Sequence, residues 1–215
     1  LPSNLYPLVG IPVSPYHSVI LTNHIQLMKK SKNVRIATTS FMAGETHGEC
    51  IYNASEHKPQ FALHTPKGLV YQFQHTHASH EYVPPSQIQG LVRSSTLKLP
   101  TTVTPYGSES ELISRVRDFV HRYVDLSESF EIICTYYVLL TWLYDKYNEL
   151  PYLRVRGDYG SGKTRFLSVI GSICYKPIFA SGASTTAPLF HLLHDIKGTL
   201  ILDESDFRYS DTTAE

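Results

Sequence analysis

The chain offers little cysteine chemistry. Of its 215 residues only three are cysteine, Cys50, Cys134 and Cys174, and no two stand as C-x-x-C. That excludes a zinc knuckle and a disulfide framework, and it fits a reducing, cytoplasmic setting. Neither sign of charge is in excess: 19 Lys and Arg offset 19 Asp and Glu. No global field therefore draws the chain to nucleic acid or to a membrane surface, although a local basic groove stays open. Long hydrophobic runs are missing as well. The uncharged stretch Ile132 to Tyr144 is shorter than the roughly 20 residues a membrane-spanning helix needs, so no membrane partner is expected. No internal repeat and no signal-peptide pattern is found. The first residue is Leu1 rather than Met, and Thr212 and Glu215 have capping-box spacing. The expectation is a fragment cut at both ends.

What is present is more specific. Gly157-Asp158-Tyr159-Gly160-Ser161-Gly162-Lys163-Thr164 fits G-x-x-x-x-G-K-[ST], the phosphate-binding loop known as Walker A. Leu153-Arg154-Val155-Arg156 before it reads as a strand, and Arg165 to Ile170 after it as a helix. Glycines let the backbone bend so that successive N–H groups surround phosphate oxygens. The helix N-terminus adds partial positive charge at the same point. A glycine-rich turn capping a helix, with Lys163 merely solvated, would also match. A second motif downstream argues against that. Thr199-Leu200-Ile201-Leu202-Asp203-Glu204 is a short apolar run ending in two carboxylates, as in Walker B. Such a run suits a buried parallel strand, whose C-terminal end is where α/β sheets place ligands. An Asp there can hold Mg²⁺ through water, and a Glu one residue later can orient and deprotonate an attacking water.

Residues 1–107 read as β-rich and punctuated by proline. Val34–Ala37 and Leu69–Gln74 are the stronger strand candidates; Cys50–Tyr52, Phe61–Leu63 and Leu91-Val92 are weaker ones. His75, His77 and His80 form H-x-H-x-x-H; two of them would share a strand face, so a metal site is geometrically open, against a polar loop as the plainer reading. The aromatics of this region suit either a β core or base stacking. A Pro/Thr linker, Pro100 to Gly107, precedes a helix opened by a capping box at Ser108 and Glu111. Its Arg115, Arg117 and Arg122 lie mostly off the apolar stripe, on a face suited to solvent or to phosphate. A second helix is expected from about Ser129 to Asn148 as a core helix under the ATPase sheet. Residues 108–150 form this helical part and residues 151–215 a third part. In that part Lys176–Ala180 reads as a strand, Thr185–Asp195 as a helix and the Walker B run as a further strand. The β-α-β-α-β order implies parallel strands with right-handed crossovers.

Residues 151–215 resemble the first half of a P-loop ATPase of the additional-strand, catalytic-glutamate division. Their spacing from Lys163 to Asp203 is closer to that of AAA+ proteins and superfamily 3 helicases than to that of RecA-like motors, and their wording is similar to ATPases of phage and mobile elements that accompany primases. The resemblance implies an α/β fold: a partial P-loop NTPase three-layer sandwich with a parallel sheet, preceded by two helices and the β-rich region. It implies ATP held by Gly157 to Thr164, with Lys163 reaching the β- and γ-phosphates. It further implies Mg²⁺ bound by Thr164 directly and by Asp203 through water, and Glu204 as the residue positioning the hydrolytic water. The function implied is an Mg-ATP hydrolase of helicase or translocase type in DNA replication, acting on DNA as a ring-shaped homo-oligomer. A fourth strand with its sensor residue and an arginine finger are not identifiable, so residues 1–215 alone are expected to hydrolyse ATP poorly. An AAA+ remodelling switch without motor activity and a P-loop small-molecule kinase are the alternatives. The Asp203-Glu204 pair argues against the kinase, which needs no water activator.

Overall fold

A computed structural model describes residues 33–181 and 186–203. The described residues from Arg35 to Asp203 fall in one compact unit. It contains both helices and strands. Among the described residues seven strands come first: β1 (Val34–Ala37), β2 (Ser40–Ala43), β3 (Thr46–Asn53), β4 (Lys58–Thr65), β5 (Gly68–Gln72), β6 (His75–His77) and β7 (His80–Val83). Then come α1 (Ile88–Arg93), α2 (Glu109–Tyr123) and α3 (Glu128–Trp142), with a 3-10 turn at Tyr144–Lys146. Last are α4 (Lys163–Ile173), β8 (Ile178–Ser181), α5 (Thr186–Ile196) and β9 (Leu200–Asp203). Strands β2-β3-β4-β5 form an antiparallel sheet, β1-β7-β6 a second sheet, and β8-β9 a parallel pair. Most of the pairing is therefore antiparallel. Strands β8 and β9 pair in parallel from Ile178–Leu200 to Ser181–Asp203.

Local chemistry explains the hairpins. Asn53 closes β3 onto β4: its side-chain oxygen accepts from the N–H groups of Ser55 (3.0 Å) and Glu56 (2.9 Å), a side-chain mimic of a backbone turn. The cross-strand neighbours Cys50 and Phe61 point into a core with Phe41, Ala43, Leu63, Ile88, Leu97, Ile178 and Ile196. That core is built from the antiparallel sheet, α1, β8 and α5 together. Full burial of residues such as Ile178 and Ile196 stabilises by about 1.5–3 kcal/mol each. Leu91-Val92, a candidate strand by composition, belongs to α1. Ile88, Leu91 and Val92 fall at i, i+3 and i+4, so the helical period is what brings all three to the core.

A second core joins α2, α3 and α4 through Val120, Cys134, Val138, Phe166, Ile170 and Cys174. The Ser108 capping box forms as the spacing predicts: Ser108 Oγ accepts from the Glu111 N–H, and Glu111 Oε2 accepts from the Ser108 N–H at 2.8 Å. Helix α3 packs on the helix after the glycine loop and ends at Trp142, earlier than Asn148, its last turn tightening into the 3-10 form. Arg117 bridges Glu128 (3.2 Å) and Glu131 (3.3 Å) across the α2–α3 pair. Glu131 is buried and also accepts from His121. The His121 hydrogen bond first, and Arg117 second, hold its carboxyl below the usual glutamate range.

The expectation that Leu153–Arg156 forms a strand is not met. Leu153 and Val155 are half-buried against the second core while Arg154 and Arg156 are exposed. The period-two alternation is real, but no strand pairs with the segment among the described residues. Alternation reports one buried face; a ladder needs a neighbour as well. No helix among the described residues is long and apolar enough to cross a membrane.

Candidate functional site

The glycine loop folds as its sequence requires. Gly160 and Gly162 have φ of 78° and 84°, a left-handed region that side chains disfavour. Gly162 is the N-cap of α4, whose first hydrogen bond runs from the Phe166 N–H to the Gly162 carbonyl at 2.9 Å. The exposed N–H groups at this helix start are unsatisfied by the helix itself. Lys163 folds back over the loop, its ammonium donating to the carbonyls of Gly157 (2.8 Å) and Asp158 (2.6 Å). The cation thus sits over the loop's own backbone. Ser161 N–H donates to the Asp158 carbonyl at 3.2 Å, tightening the turn, and Tyr159 stands fully exposed at its tip.

Asp203 ends β9, paired in register with Ser181 at the end of β8. Helix α4 lies directly against this pair. A Cβ on Gly171 would come within 2.9 Å of the Ile201 side chain and 3.1 Å of the Phe179 ring. That close approach carries Thr164, two turns upstream, to the strand ends. Thr164 and Asp203 consequently line one cleft of about 340 Å³, with Leu167, Ser168, Phe179, Ala180, Ser181 and Ile201. Ser94, Ser95 and Thr96 complete the lining. A larger hollow, of about 410 Å³, lies at the start of α2 between Pro105 and Arg115 and holds none of the motif residues.

Thr164 and Asp203, far apart in sequence, therefore share one cleft, whereas Gly157 to Lys163 are not among its lining residues. Glu204 lies outside the described residues. The hydroxyl of Thr164 and the carboxylate of Asp203 are hard oxygen donors. Mg²⁺ commonly takes one or two protein oxygens and completes its shell with water and substrate phosphate. The cleft's donor set fits that ion. Ser94, Ser95 and Thr96 escape sequence reasoning because they belong to no motif; the only local signal is a small-polar run after an apolar one, which reads as a turn.

The histidine group behaves differently. His75 and His77 lie on β6, His80 on β7 opposite His77. His75 stacks on Phe41 with ring centroids 5.6 Å apart. Burial first, and His77 second, push its pKa down. Among the described residues no cluster of three or more His, Cys, Asp and Glu side chains is arranged to hold a metal. No family model matches the chain, and no curated protein and no solved structure matches it either.

Proposed function

We propose that the cleft at the start of α4 binds ATP with Mg²⁺, and that the chain is part of an ATPase of the additional-strand, catalytic-glutamate division. In this reading β8 and β9 are two strands of a P-loop three-layer sandwich. The observation that carries it is the convergence of Thr164 and Asp203 on one cleft beside a glycine loop in the left-handed conformation. The backbone N–H groups of Tyr159 to Thr164 take the β-phosphate. Lys163 exchanges its two loop carbonyls for phosphate oxygens, trading neutral acceptors for charged ones, which make stronger hydrogen bonds. Thr164 binds the ion directly and Asp203 through water, and the bound ion supplies neutralisation of phosphate charge. Glu204 orients the water. An adjacent acidic pair favours water as the acceptor over a small-molecule hydroxyl, and with it a helicase- or translocase-type motor over a kinase.

Titration with a fluorescent ATP analogue, with and without Mg²⁺, tests the site. Binding is expected in the wild type and lost in Lys163→Ala; Thr164→Ala and Asp203→Asn are expected to abolish the gain from Mg²⁺. Equal binding by all four proteins rejects the assignment. In the whole gene product, phosphate release stimulated by DNA supports the motor. Unstimulated release supports a remodelling switch, and phosphoryl transfer to a small molecule supports the kinase.

A further inference from the structure

One wall of the Thr164–Asp203 cleft comes from neither motif. The segment after α1 runs antiparallel along the free edge of β8. Leu97 bridges Ile178, the Lys98 N–H donates to the Pro177 carbonyl at 3.1 Å, and the Phe179 N–H donates to the Thr96 carbonyl at 2.7 Å. With Leu97 fixed opposite the first residue of β8, the residues before it run toward the C-terminal end of that strand. There Ser181 pairs with Asp203. The turn Ser94-Ser95-Thr96 is thereby held against the cleft. Leu97 is fully buried in the main core, so the turn has a rigid base.

The hydroxyls of this turn are ordered among themselves. Ser94 Oγ donates to the Leu91 carbonyl at 3.1 Å and lies 2.9 Å from Thr96 Oγ1. A hydroxyl has a single proton, so Thr96 is the donor in that pair and keeps acceptor capacity. Ser95 is exposed and has φ of 60°, a backbone region that costs a non-glycine residue about 1 kcal/mol or more and that concentrates at ligand sites.

We propose that this turn is the third wall of the nucleotide site and positions the terminal phosphate. The Ser95 hydroxyl donates to a terminal-phosphate oxygen, and Thr96 Oγ1 accepts from a water of the metal shell. At about 30 Å³ per water, the cleft has room for about ten water-sized groups, which suits a phosphoryl group with a hydrated ion. The β-rich region thus supplies part of the site and distinguishes nucleoside triphosphate from diphosphate. The inference rests on the nucleotide reading of the cleft.

The test is competitive displacement of a fluorescent nucleotide by Mg-ATP and by Mg-ADP, on wild type, Ser95→Ala, Ser95→Gly, Thr96→Val, Thr96→Ser and Lys163→Ala. Ser95→Gly keeps the left-handed backbone without strain and guards against a folding defect, which thermal melts check in every variant. Ser95→Ala and Ser95→Gly are expected to weaken Mg-ATP about tenfold, as befits one hydrogen bond to a charged group, with Mg-ADP unchanged; Thr96→Val is expected to weaken both magnesium nucleotides, with Thr96→Ser like wild type. Equal losses for both nucleotides in the Ser95 variants, or none, overturn the proposal while leaving the site intact. Absence of nucleotide binding by the wild type removes the underlying reading and this inference with it, a result distinct from an unchanged ratio.

Discussion

Replacing Glu49 by Gln should destabilise the protein well beyond what a single surface change does. Lys176 follows α4, and its side chain is 2% exposed. Its ammonium is 2.6 Å from Glu49 Oε1, donates to the Thr39 carbonyl at 3.1 Å, and lies over the Tyr175 ring at 4.6 Å. The Tyr175 hydroxyl donates to the same carboxylate at 3.0 Å. Burial pulls the lysine pKa down and Glu49 opposes that. Removing one partner of a buried pair costs about 3–5 kcal/mol, because the other charge is left uncompensated. Glu49 is 27% exposed and Gln keeps a neutral acceptor, which places the expected loss near ~3 kcal/mol. For a chain of this size that is a fall in Tm of about 6–12 °C. Lys176→Met in the Glu49→Gln background should recover most of it, since the buried charge goes with the lysine. Denaturant unfolding of the two single variants and the double variant closes the cycle. A Glu49→Gln loss under about 0.5 kcal/mol, or a double variant no better than Glu49→Gln alone, would refute the argument that this pair anchors the antiparallel sheet to the end of α4.

Three further outcomes follow from the geometry. Glu131, whose carboxyl is held below the ordinary glutamate range by His121 and Arg117, contributes stability present above the pKa of an unfolded glutamate and lost as pH falls through its lowered folded value; Glu131→Gln should flatten the acid limb of a Tm-against-pH profile, and an unchanged profile contradicts the ion-pair account. Burial raises the thiol pKa of Cys50 to about 12 and of Cys134 and Cys174 to about 11, so an aromatic disulfide reagent at pH 8 should label all three only at the rate of unfolding; fast labelling of the native chain tells against the two cores. Gly198→Ala should prevent the α5–β9 turn from closing, because its Cβ would lie 2.1 Å from the Lys176 carbonyl oxygen; a loss of several kcal/mol in chemical unfolding is expected, and a loss under about 0.5 kcal/mol excludes that packing.

What the sequence made legible were features carried by near neighbours. The Ser108–Glu111 box, the glycine loop leading into α4, and the β8-α5-β9 order all depend on residues a few positions apart, and each stands where spacing put it. Leu153 to Arg156 misled because alternating burial arises against helices as readily as in a sheet. The strand expected at Leu69–Gln74 does form, as β5 (Gly68–Gln72), but it lies at the end of its sheet and is exposed along its whole length. The longest-range features left no local trace. The Tyr175–Glu49 hydrogen bond spans 126 positions, and the pairing of Thr96–Lys98 with β8 joins a stretch that carries no strand signal to one that reads as a strand. Non-local pairing is specified by shape and register rather than by any period within one segment, which is why the third wall of the cleft was invisible until the chain was folded.

The central claim is that Thr164 and Asp203 share one metal–phosphate site with Lys163. Isothermal titration of the chain with ATP in the presence and absence of Mg²⁺, repeated on Lys163→Ala, measures it directly. Saturable binding that strengthens with Mg²⁺ and disappears in the variant is the predicted result. No heat of binding in the wild type, or an isotherm untouched by the loss of the Lys163 ammonium, would contradict it.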